Sequence, residues 1–280
     1  MRDLLDRPES EWMLERSKIG QTGWGKRFLE QQDPEGTWGQ GIYSPKWTST
    51  TYTLLTLIDF GLLPETESAK LGAERILQSI GNLLAIDQCV LGFYLHILAY
   101  FETDEKMSTQ IVEHLLARQM PDGGWNCRID RVKNVRHSSF HTTFNVLEGL
   151  HVAASKGILV QRRFADSQAA AIEFMLQHRM YKSDRTGEIV NEHFTEFSYP
   201  PRWHYDVLRG LDYMRQTSFR EDPRLQDPID LLNSRAKDGI WPAQNKHAGK
   251  EFFPLESPPR LSRWNTLRAL RVLKTIKPLK

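Results

Sequence analysis

Asp87-Gln88-Cys89 stands at the head of an apolar run, and Cys127 and His141 flank the basic stretch "RIDRVKNVRH". Carboxylate, thiolate and imidazole are the groups zinc takes, and a catalytic zinc site holds three of them and leaves one position open. Asp87, Cys89 and His141 supply such a set, with Cys127 as a candidate fourth ligand that would close the site or displace Asp87. A plainer reading stands beside this one. Cysteine is commonly a small buried hydrophobe, and a histidine at a helix start often only satisfies backbone groups. Arg136 and His137 in the same loop read as solvated charge, with His137 as the substitute ligand if Asp87 is not used.

A second constellation lies later, in "YPPRWHYD" at 199–206 and "PPRLSRW" at 258–264. Proline suits the first turn of a helix, so each segment predicts a helix start. Arg202 and Arg263 would add their charge to the positive helix ends, which suits an anionic ligand. Trp203, Trp264, Trp47 and Tyr205 would wall an apolar chamber; the alternative is arginine–aromatic stacking that braces the fold. Asp206, with His204 and Tyr205 beside it, is the candidate acid/base. Its structural alternative, shared with Glu148, is an ion pair with Arg209 or Arg202, because a carboxylate on an apolar helix is costly unless paired. Glu192 and Glu196 read as solvated loop residues or part of a lid.

Repeats define the elements that must carry these groups. "LEQQDPEGTW", "LARQMPDGGW" and "LNSRAKDGIW" place Leu, Gln (Arg in the third), Gly and Trp at identical offsets, ending on Trp38, Trp125 and Trp241. The spacing predicts a helix end, a glycine turn with positive φ and an indole packed back over it. Each unit resumes in an apolar helix bearing Leu-x-small-Leu: 54–57, 147–150, 208–211 and 267–270, with a looser copy at 95–98. Amphipathic helices are predicted between them at 67–79, 107–118, 163–178 and 224–235, from apolar residues at i, i+3 and i+4. No convincing strand is present. About five helical hairpins follow, in one domain over 1–280 with a helical extension at 1–24. Such units stack into a solenoid or close into a ring. In a ring, Cys89, His141 and Arg202, each six residues before its first leucine, would converge on one cavity mouth.

The Gln-x-x-x-Gly-x-Trp segments resemble the repeats of squalene cyclases, and the chain is similar over roughly 25–275 to the terpenoid cyclase and protein prenyltransferase superfamily. The resemblance implies an all-α fold, an α/α toroid with apolar inner and amphipathic outer helices. Asp87-Gln88-Cys89 and His141-Thr142 resemble the Asp-x-Cys and His-Thr zinc ligands of protein prenyltransferase β subunits; counted back from Leu147, Thr142 is the strict register match to that family's histidine. No Asp-x-Asp-Asp, the acid motif of the cyclases, occurs. The resemblance implies a zinc-assisted transferase or lyase acting on an isoprenoid-like or other amphiphilic anionic small molecule; the prenyltransferases use a helical partner subunit, and whether this chain has one is not readable from the sequence. The alternatives are a metal-free cyclase using Asp206 and a non-catalytic ligand-binding or scaffold toroid.

The totals are compatible with these readings. The chain is 40% hydrophobic and 26% charged, as expected of a globular protein. A net charge of +2 does not point to nucleic acid. The longest apolar run, 90–101, is too short for a membrane span. Two cysteines make no disulfide framework, and the charged stretch after Met1 is no secretory signal, so a cytoplasmic location is expected.

Overall fold

A computed structural model describes residues 1–129, 131–256 and 261–276. Twelve α-helices occur among them: α1 (Arg2–Leu5), α2 (Glu9–Ser17), α3 (Gly23–Leu29), α4 (Thr50–Phe60), α5 (Glu67–Ser79), α6 (Gln88–Tyr100), α7 (Glu105–Leu116), α8 (Phe140–Ser155), α9 (Gln161–Gln177), α10 (Val207–Met214), α11 (Gln226–Ser234) and α12 (Arg263–Thr275). Among the described residues extended chain forms only isolated bridges, so the fold is all-α. No described helix is long and apolar enough to cross a membrane. The prolines at 258 and 259 lie outside the described residues.

The chain divides into two compact units. The larger comprises Arg7–Ala171 with Gly249–Phe252; the smaller comprises Met1–Asp6, Ile172–Ala248 and Phe253–Lys280.

The three repeats form the same device. Trp38 and Trp125 are fully buried and Trp241 nearly so. Each indole N–H donates back to a carbonyl of the preceding helix: Phe28 (2.7 Å), Leu115 (2.8 Å) and Leu232 (2.8 Å). Each tryptophan's backbone N–H donates forward to a threonine hydroxyl of the following helix, at Thr50, Thr143 and Thr266, all at 3.0 Å. The preceding glycines have φ of 84°, 97° and 74°, a region only glycine enters cheaply. In the first two repeats the glutamine amide bonds its own turn and a later helix: Gln32 to Gly36 and to Ser68 of α5, Gln119 to Gly123 and to Ser167 of α9. In the third, Arg235 reaches Thr195 instead.

In the larger unit α6 and α8 pack backbone to backbone. A Cβ added at Gly92 would strike the Asn145 carbonyl, and one at Gly149 the Gly92 carbonyl. The small residue of Leu147-Glu148-Gly149-Leu150 thus permits the close approach its pattern predicts.

In the smaller unit the pattern fails at α12. Leu267 and Leu270 are 38% and 40% exposed, while Asn265, Arg268, Ala269 and Val272 face inward. Polar partners decide this orientation. The Asn265 amide donates to the Phe197 and Pro242 carbonyls, and the Arg268 guanidinium lies 3.7 Å from the buried Asp212 carboxylate. Asp212 also pairs with Arg215 (2.7 Å) and Arg271, and both arginines reach Asp3 of α1.

Candidate metal centre

The Gly92–Gly149 contact brings the first turns of α6 and α8 together, and the second repeat delivers Cys127 between them. Trp125 is held to α8 through Thr143, and the Ser139 amide donates to the Trp125 carbonyl at 2.8 Å. Two residues on, the Cys127 sulfur accepts the Cys89 backbone N–H at 3.2 Å and the Thr142 hydroxyl at 3.3 Å. Asp87 stands at the cap position of α6 without capping it by its side chain; instead its carboxylate pairs with Arg131. One ligand atom from each of Asp87, Cys89 and Cys127 lies within 4.8 Å of the other two. Both cysteines are free thiols and half-buried.

The electrostatics separate the two thiols. A hydrogen bond from Cys89 is the main cause that lowers Cys127, to about 7; burial opposes it, and the Thr142 hydroxyl and Cys89 amide add to it. The same bond, followed by burial, pushes Cys89 well up. Cys127 is therefore the more acidic thiol of the pair. Burial raises Tyr43 and the hydrogen bond with Tyr52 opposes it, while Cys89, Asp87 and Cys127 raise it further. The Tyr52 hydroxyl donates to Tyr43 at 3.0 Å, and Tyr52 packs edge-on against Trp47 (4.8 Å) and Phe93 (6.1 Å). The cluster thus has an aromatic neighbourhood in the larger unit.

His141 is not part of this group of ligand atoms. Successive helix residues point about 100° apart, at 3.6 residues per turn, so Thr142 faces the sulfur where His141 was expected. Cys127 stands with Asp87 and Cys89 in the histidine's place. Ser139 accepts the Thr142 amide as the cap of α8, so the histidine is not needed for capping either. His137 is exposed and outside the group. Thr142, Tyr43 and Arg131 were not singled out as site residues; a strict register count pointed to Thr142, whereas nothing local marked Arg131 as the partner of Asp87.

The second constellation lies in the smaller unit, except for Trp47. Arg263 is exposed; Arg268 is the buried arginine of that helix. Arg202 is half-buried, with φ of 59°. Trp203 stacks on His204, and His204 on His247, each at 3.8 Å. Trp264 stacks on Tyr199 at 4.5 Å. The Tyr205 hydroxyl is buried and donates to the Met180 carbonyl at 2.8 Å. Asp206 is a buried helix cap: its two oxygens accept the Arg209 amide at 2.8 Å and the Ser198 amide at 3.3 Å. Tyr205 and Asp206, taken from sequence as catalytic, thus hold the start of α10 in place. Glu192 is exposed, and Glu196 sits 2.8 Å from His193.

Compared with protein-family models, with curated proteins and with solved structures, the chain matches none of them.

Proposed function

We propose that Asp87, Cys89 and Cys127 hold a zinc ion and that the chain is a zinc-assisted transferase or lyase on an α/α-toroid scaffold. The observation that carries this reading is the meeting of two thiols and a carboxylate, from segments about forty residues apart in sequence, within 4.8 Å of one another. The donor set fits zinc: thiolate and carboxylate are its ligands, and three of them leave a position open. The hydrogen bonds to Cys127 lower its pKa to about 7, which eases formation of the thiolate that binds metal. Bound zinc would supply a Lewis acid, or lower the pKa of a group that reaches it. Thr142 orients the Cys127 sulfur; Tyr52, Trp47 and Phe93 are buried core aromatics, and of this group only the half-buried Tyr43 has surface to meet an isoprenoid-like or other amphiphilic substrate.

Asp206 supports a second reading, the metal-free acid cyclase, because burial raises its pKa. Both its oxygens accept backbone N–H bonds, however, and such bonds favour the carboxylate over the acid. The zinc reading is therefore the stronger. Metal analysis of the purified chain should find about one zinc per chain, by the three-ligand rule, and Cys127→Ser should lose most of it. Wild-type protein that takes up no zinc would leave the cyclase or a scaffold role.

A further inference from the structure

Cys89 and Cys127 are the only two cysteines of the chain, and the fold brings them together from 38 residues apart. The Cys127 sulfur accepts the Cys89 backbone N–H at 3.2 Å, so it lies against the residue that carries the other thiol. The ligand atoms of the two lie within 4.8 Å, and a disulfide sets its sulfurs about 2.0 Å apart, so less than about 3 Å remains to be closed. Both thiols are free and only half-buried, which leaves them open to a small oxidant. Their backbones differ. Cys89 stands in the first turn of α6, whose approach to α8 is fixed at Gly92 and Gly149. Cys127 stands in a turn outside any helix, and a turn yields where a packed helix does not.

We propose that Cys89 and Cys127 form a reversible disulfide, and that closing it discharges the metal centre. The oxidant is a small-molecule disulfide. In the metal-free chain one protein thiol attacks it, forms a mixed disulfide and releases one small thiol. The second protein thiol then attacks the bound protein sulfur, forms the Cys89–Cys127 bond and releases the other small thiol. Two electrons pass to the oxidant, and its two departing thiols carry off the protons of the protein's thiols. The new bond takes both sulfurs from any metal. Only Asp87 is left of the three ligands, and Arg131 holds its carboxylate. Zinc and the disulfide therefore exclude each other. The disulfide stands on the geometry of the pair alone; the discharge rests on the zinc reading and is a regulation of that site.

The test uses the full chain, with mixtures of oxidised and reduced glutathione as the probe. Metal-free protein should lose both free thiols, gain no glutathione mass, stay monomeric on non-reducing electrophoresis and recover both thiols with dithiothreitol. With no other cysteine in the chain, that result identifies the bond. Chain unfolded in urea should need a more oxidising mixture, because it lacks the proximity the fold supplies. Oxidised protein should take up no zinc, read with a zinc-sensitive dye, and reduction should restore uptake. Zinc bound beforehand should keep both thiols reduced in the same mixture, as linkage requires. Stable glutathione on either cysteine, a disulfide between two chains, or closure no easier in the folded chain than in urea would overturn the disulfide. Oxidised protein that binds zinc as well as reduced protein would overturn the discharge. Reduced protein that takes up no zinc, yet closes the disulfide, would strike the zinc reading and the discharge with it, while the disulfide would stand.

Discussion

Replacing Trp125 with alanine should destabilise the larger unit by about 3–5 kcal/mol, the range for a fully buried large aromatic. Trp125 has no exposed surface. Truncation to alanine would leave a cavity in the core of that unit. The indole also answers the Leu115 carbonyl, which alanine would leave without its donor. Trp125→Phe separates these contributions: it keeps most of the apolar area and loses the hydrogen bond, worth about 1 kcal/mol net, with a further cost if the carbonyl is left unsatisfied. Urea denaturation measures both. Because Trp125 also positions Cys127, the alanine variant should bind zinc more weakly than wild type. A loss below about 1 kcal/mol, the scale of an ordinary surface change, would contradict the role of the repeats as buried plugs.

The second large effect is expected in the smaller unit. Asp212→Ala should cost about 3–5 kcal/mol, because removing one partner of a buried ion pair strands the other. Arg268 is 6% exposed and Arg215 and Arg271 crowd the same carboxylate. Burial alone would raise Asp212, but Arg271, Arg268 and Arg215 outweigh it and hold the carboxyl below its ordinary value. A carboxyl lowered in the folded state stabilises fully above its unfolded pKa of about 3.9, and that stabilisation is lost as pH falls through the folded value. The gap between wild type and Asp212→Ala should therefore be full at neutral pH and narrow in acid below pH 4. Denaturation curves across that range check the sign; a gap that widens in acid would contradict it.

The parts of the fold legible in the sequence were those specified by local chemistry. The helix predicted at 67–79 is α5, Glu67–Ser79, and the one predicted at 163–178 is α9, Gln161–Gln177. The turn glycines and buried tryptophans follow from three copies of one pattern. The failures came where partners distant in sequence decide an orientation. Leu267 and Leu270 match the inner-helix pattern, yet Asp212 draws Arg268 inward and turns them outward. At the candidate centre, Asp87, Cys89 and Cys127 were legible as ligand types, and Gly149 as the reason their helices approach. His141 was displaced by Thr142 because one residue of register turns a helical side chain through about 100°. Asp206 looked chemical by type, but its carboxylate is used as a cap. Arg131 reaches Asp87 across 44 residues, a pairing that no spacing rule contains.

X-ray absorption at the zinc edge of zinc-loaded protein tests the central claim most directly. Ligation by Asp87, Cys89 and Cys127 predicts two sulfur neighbours at about 2.3 Å and lighter neighbours at about 2.0–2.2 Å, with one sulfur lost in Cys127→Ser. A spectrum with no sulfur, or with one sulfur and imidazole scattering that disappears in His141→Ala, would contradict it.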